Sequence, residues 1–105
     1  MLRIHDVMLE VIRGMRPLIV AIERCDTSLA KQLKSSASSV TLNIAEGGGS
    51  FGGTRRERYR NALGSARETL SNLRTAEAFG YVGTLPDDVV AGMNRVIGTL
   101  VHVAR

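Results

Sequence analysis

Aromatic residues are scarce in this chain: two Phe, two Tyr and no Trp among 105 residues. A core must therefore be built from Leu, Ile, Val, Ala and Met, and no row of interleaved rings supports base stacking. The single cysteine, Cys25, excludes an internal disulfide and a cysteine-rich metal site. The two histidines, His5 and His102, stand near opposite ends with no Glu-x-x-His or His-x-x-x-His spacing, so no metal is expected. Long apolar runs are missing as well. The longest uncharged one, Pro17 to Ile22, falls far short of the ~20 residues that span a bilayer. The opening Met-Leu-Arg-Ile-His-Asp lacks the apolar core of a signal peptide. The expectation is a cytoplasmic protein without a membrane partner. Lysine is rare too, with 2 Lys against 12 Arg. The net charge of +4 and pI near 10.0 thus rest on guanidinium groups, which suit bidentate contact with phosphate or carboxylate.

What remains is a chain of 44% hydrophobic residues with helical periodicity in four segments and no strand-like alternation. One domain over residues 1–105 is the expectation for this length. The first helix runs from about Asp6 to Arg24. Val7, Val11, Met15, Leu18 and Ile22 lie on one face, and Met8, Ile12 and Ile19 widen it beyond what one neighbour needs. Pro17 falls inside this segment and predicts a kinked helix, the alternative being a break near Gly14. Asp26 or Thr27 can cap the second helix, whose core stripe is Leu29, Leu33, Ala37, Val40 and Ile44. Leu42 points away from that stripe and is a candidate interface residue. The helix is predicted to end at Glu46, with Gly47 as a left-handed stop.

Gly47 to Gly53 reads as a flexible segment. Thr54-Arg55-Arg56-Glu57 matches a capping box, so a third helix is predicted from there to about Phe79, with Tyr59, Ala62, Leu63, Ala66, Leu70 and Leu73 inward and Gly80 as its stop. The fourth begins around Pro86, followed by Asp87 and Asp88. Its broad apolar face is Val89, Met93, Val96, Ile97, Leu100, Val101 and Ala104. The predicted fold is all-α, an antiparallel up-down four-helix bundle. Gly14, Gly64, Gly92 and Gly98 fall inside helices, and close helix approach would offset their loss of about 1 kcal/mol each relative to alanine.

The residues that could carry chemistry are few. Gly47-x-Gly49-x-x-Gly52 has the spacing of a dinucleotide fingerprint but follows a helix where that motif needs a strand. No Lys-Ser or Lys-Thr follows the glycines, which excludes a P-loop. No cofactor and no catalytic residue is predicted, since no nucleophile motif is present. Backbone N–H groups ahead of the third helix, with Arg55 and Arg56 beside them, could hold a phosphate. At about 100° per residue, Arg56, Arg60, Arg67 and Arg74 form a narrow strip flanking the apolar stripe, one footprint of phosphate-backbone binding. The alternative is a solvated face whose arginines pair with acids of neighbouring helices or subunits. Glu46 sits where the dipole of the second helix disfavours a negative charge, so an arginine of the third helix is expected beside it. Asn43 lies one turn earlier on the same side, which predicts a structural polar network holding the loop. Glu57 and Glu68 stand about 16 Å apart along their helix, too far for paired-carboxylate catalysis. Asn61, Gly64 and Ser65 between them look like a helix-packing surface.

Leu33-Lys34-Ser35-Ser36-Ala37-Ser38-Ser39-Val40-Thr41-Leu42-Asn43-Ile44-Ala45-Glu46-Gly47, with Ala62-Leu63-Gly64-Ser65-Ala66-Arg67-Glu68, Leu73, Ala76 and Gly80-Tyr81-Val82, resembles the four-helix-bundle family named for proteins encoded by intervening sequences in 23S ribosomal RNA genes. The resemblance covers nearly the whole chain. It implies a homo-oligomeric ring, commonly a pentamer, and no catalysis. The family is similar in fold to accessory proteins of diversity-generating retroelements, which work with a reverse transcriptase and RNA through a basic surface. An RNA or DNA partner is therefore expected, the alternative being a protein-interaction scaffold. Asn43, Glu46, Gly47, Gly64, Ser65 and Glu68 are expected to be structural, and Arg55, Arg56, Arg60, Arg67 and Arg74 to meet phosphates. Leu42 stands where the family often has proline, and Ser35 and Ser36 replace a usual basic or small pair. Both changes shift the expected nucleic-acid surface from the second helix to the third.

Overall fold

Asp26 decides where the first helix stops and the second starts. In the computed structural model, which describes residues 3–105, four helices follow one another: α1 (Ile4–Cys25), α2 (Thr27–Gly48), α3 (Gly52–Phe79) and α4 (Asp87–Val103). Asp26 is extended (φ −156°, ψ 93°), and its carboxylate accepts the Leu29 N–H at 2.9 Å, satisfying one orphan donor of α2. α1 is continuous through Pro17, with no break at Gly14. Pro17 is exposed, so the Arg13 carbonyl that loses its usual N–H partner lies on the solvent side.

The ends of α2 and α3 differ from expectation. Gly47 does not stop α2; it is helical and buried, and the helix runs on to Gly48. Gly49 follows at φ −93°, and left-handed glycines are confined to Gly52 and Gly80. The capping box at Thr54 does not form either. α3 begins at Gly52, Phe51 occupies the cap position in extended backbone, and no side chain caps the helix. The left-handed φ of +57° available to Gly52 lets the chain enter the helix two residues early. The predicted stop at Gly80 is present. Its φ is +78°, its N–H donates to the Glu77 carbonyl at 3.0 Å, and the Tyr81 N–H donates to the Ala76 carbonyl at 3.0 Å, the paired bonds of a glycine C-terminal cap.

Cross-helix contacts make the neighbouring pairs antiparallel. Ser39 meets Ser65 while Ser36 meets Thr69 and Asn72. Gly14 faces Val89 while Gly92 faces Val11. Arg60 reaches Ala104 while Glu77 reaches Leu85. α1 and α2 turn back on each other through Asp26 alone, and Lys34 pairs with Glu23. The result is an all-α four-helix bundle around one apolar cluster. Met8, Met15, Ile22, Leu33, Val40, Ile44, Leu73, Val89, Met93 and Leu100 are fully enclosed. Burying each such side chain stabilises the fold by about 1.5–3 kcal/mol. The predicted α2 stripe is buried throughout. On α3 the buried face is turned toward α2: Thr69, Asn72 and Ala76 are buried, whereas Leu63 and Leu70 are only partly so. Gly14 and Gly92 are at close helix crossings, since a Cβ on Gly14 would lie 3.0 Å from Val89 Cγ2 and one on Gly92 would overlap Val11. Gly64 and Gly98 correct the expectation of close approach, because a Cβ at either would meet nothing within 4 Å. Leu42, predicted to point outward, is 61% exposed.

Candidate functional site

The lower end of the bundle, where α2 passes into α3, gathers most of the residues singled out in the sequence. The supposedly flexible glycine segment shrinks to Gly49, Ser50 and Phe51, because helices claim the rest. This short connection is pinned. The Gly49 N–H donates to the Ala45 and Glu46 carbonyls, the Ser50 N–H to Gly47, and the Ser50 hydroxyl to the Glu46 carbonyl at 2.7 Å. Arg55 Nε donates to the Ser50 carbonyl at 2.8 Å, and its guanidinium sits 5.7 Å from the centre of the Phe51 ring.

Gly47 earns its place through Tyr59. A Cβ at Gly47 would stand 2.7 Å from Tyr59 Cδ1, 3.0 Å from Cζ and closer still to Cε1. Only glycine lets this ring, 6% exposed, pack so close to the α2 backbone. Glu46 has the arginine of the third helix that its position required: Arg58, at 2.9 Å. Both side chains are about half exposed, so the pair contributes at most about 1 kcal/mol.

Asn43 and Glu46 do not act together. Asn43 Nδ2 donates to the Ser39 carbonyl at 2.9 Å and to Ser39 Oγ at 3.1 Å, one turn back on α2, so it does not hold the loop. The network continues as a seam between α2 and α3. Ser65 Oγ donates to Ser39 Oγ at 2.7 Å. The Thr69 hydroxyl lies 2.8 Å from the Ser65 carbonyl and 3.0 Å from Ser36 Oγ. Ser36 Oγ also accepts from Asn72 Nδ2 at 3.3 Å and donates to the Leu33 carbonyl. Among the described residues no buried side-chain polar atom lacks a partner. Satisfied networks of this kind fix helix register, since any slip orphans several groups at once. Ser65 and Glu68 open onto a groove above the seam, which Lys31, Gln32 and Ser35 also line.

The arginines of α3 divide by what holds them. Arg74 pairs with Glu77 at 3.3 Å. Arg60 Nε donates to the Ala104 carbonyl at 3.1 Å, just past the end of α4, where a cation offsets the helix dipole. Arg56 and Arg67 are exposed and form no ion pair among the described residues. Arg55, Arg56 and Arg105 together line a cavity of about 280 Å³ with Gly52 and Val103, and no acidic side chain lines it. The strip therefore begins in a cluster at the lower end of the bundle and runs about 27 Å upward to Arg74.

Sequence reasoning missed four parts of this arrangement: Arg105, which only the return of α4 brings to Arg56; Arg58 as the partner of Glu46; the buried seam; and the exposed Phe51. The seam left a trace, for Ser36, Ser39 and Asn43 repeat at helical spacing beside the apolar stripe. Among the described residues no group of three or more His, Cys, Asp or Glu could hold a metal, and no helix is long and apolar enough to cross a membrane. A family model described as 23S rRNA-intervening sequence protein matches residues 15–96. No curated protein and no solved structure matches the chain.

Proposed function

The chain belongs to the 23S rRNA-intervening sequence protein family, and on that premise we propose that it is a non-enzymatic, homo-oligomeric bundle of the cytoplasm that holds RNA or DNA phosphates along α3. The observation that carries this reading is the convergence of Arg55, Arg56 and Arg105 around one cavity without an acidic side chain, continued by the exposed Arg67. Arg56 and Arg67, guanidinium groups without an ion-pair partner among the described residues, raise the local potential and attract polyanions. Arg60 and Arg74 already have protein partners, so they serve as the weaker contacts of the strip. Self-association has its own support in Val20 and Leu42, 53% and 61% exposed on α1 and α2. These helices face a neighbouring subunit in this reading, with a pentamer as the expected assembly, and α3 stays free.

The second reading is a protein-interaction scaffold in which the unpaired arginines bridge subunits; it is favoured by Arg60 and Arg74, which already hold protein groups of their own chain and not phosphates. Binding isotherms of nucleic-acid-free protein with labelled single-stranded RNA and DNA separate the two. R56A/R67A weakens both in the proposed role, while Arg24→Ala, far up α1, leaves them unchanged. If R56A/R67A instead lowers the particle mass in light scattering toward 11.3 kDa and leaves binding as it was, the scaffold reading holds.

A further inference from the structure

Phe51 is 83% exposed, the most exposed large hydrophobic side chain among the described residues. It is not a loose loop residue. Its carbonyl accepts the Arg55 N–H at 3.3 Å, and hydrogen bonds hold the two residues before it. Gly52 and Gly53 beside it carry no side chain, and a Cβ at either would meet nothing within 4 Å, so the approach to the ring is open. One cation lies over the ring. Arg55 lies 5.7 Å from its centre, and Arg55 shares a cavity with Arg56 and Arg105.

We propose that Phe51 is a stacking platform for an unpaired nucleobase, with Arg56 and Arg105 taking the adjoining phosphate, so that the lower end of the bundle binds single-stranded nucleic acid in preference to duplex. This deepens the phosphate-binding reading and rests on it. The occupant follows from charge and shape together. An apolar ring alone would fit any hydrophobic partner, but Arg55 over it and the arginine cluster that Arg55 belongs to repel cationic surfaces and leave a bare hydrophobic one with desolvated charges. A nucleotide satisfies both halves, offering a π face to the ring and an anion to the guanidinium groups. Duplex ends apart, paired bases do not present that face. Arg55 lies close enough to Phe51 for a cation–π contact, and most of the ring is left to solvent.

The test compares three probes on full-length protein freed of nucleic acid: a labelled single-stranded RNA, the same strand annealed to its complement, and inorganic polyphosphate, which has charge without bases. Phe51→Ala is expected to weaken the single strand about 5- to 140-fold, the range of one base–aromatic stack. It should leave duplex and polyphosphate within about twofold, and Phe51→Tyr should restore the single-strand affinity. Light scattering should give the same particle mass for all variants. The proposal is overturned if F51A binds the single strand as tightly as the parent. It is equally overturned if F51A loses polyphosphate in the same proportion, or if it lowers the particle mass, which would make Phe51 a contact between subunits. Should the parent bind none of the three probes, the phosphate reading itself falls and takes this one with it.

Discussion

Replacing Gly47 by alanine tests how α2 and α3 are joined. The new Cβ would meet three atoms of the Tyr59 ring at 3.0 Å or less, well inside ordinary contact. Tyr59 is buried, so the ring has little room to swing away. Overpacking of this kind costs about 1–3 kcal/mol, and the upper half applies because the obstacle is a rigid ring. Against it stands the gain in helix propensity from glycine to alanine, at most about 1 kcal/mol. The net is a loss of about 1–2 kcal/mol, which for a chain of this length lowers Tm by about 5–15 °C. Urea melts at fixed protein concentration read the change, since self-association makes the midpoint concentration-dependent. A double-mutant cycle locates the cause: in a Tyr59→Leu background most of the G47A penalty should vanish. Had Gly47 been a left-handed stop, alanine would be strained with any residue at position 59. A G47A protein as stable as the parent, or a penalty unchanged by Y59L, would refute the packing argument.

Gly64→Ala should behave oppositely: its Cβ points into open space, so the variant gains about 0.5–1 kcal/mol in melts and keeps its particle mass, unless Gly64 lies against another subunit, in which case the mass falls. Thr69→Val removes the hydroxyl shared between Ser36 and the Ser65 carbonyl and should destabilise by about 1–2 kcal/mol in the same melts. Tyr81 donates its hydroxyl to Asp26 at 3.3 Å, and desolvation, then the Asp26 charge and hydrogen bond, raise its pKa above 10.0. Because the folded value is the raised one, the contact's stability is fully present below pH 10.0 and is lost as pH climbs through the folded pKa. Absorbance titration should therefore show Tyr81 ionising later than free tyrosine, and Asp26→Asn, which keeps a cap for α2, should bring it down.

The sequence made the helices legible because their signals are local. The apolar period of α2, the cap at Asp26 and the stop at Gly80 each act within a turn or two. The ends around the glycine segment were not legible, since the structural role of Gly47 depends on Tyr59, twelve residues on, and the early start of α3 depends on the left-handed Gly52. The arginine strip was visible as a period, but its partners were not. Arg60 reaches Ala104, and Arg56 comes to share a cavity with Arg105, only after α4 has returned along α3. The α2–α3 seam was half visible. Serine spacing showed a polar stripe, yet nothing local paired Ser36 with Thr69 and Asn72 across more than thirty residues.

The most direct measurement of the central claim is the salt dependence of binding between nucleic-acid-free protein and a single-stranded RNA. Three to five phosphate contacts per protomer predict that log K falls linearly with log salt with a slope of about −2 to −3.5 per protomer engaged. Removing both Arg56 and Arg67 should flatten the slope by about 1.4. A slope near zero, or one that R56A/R67A leaves unchanged, would contradict the assignment of α3 as a phosphate-binding face.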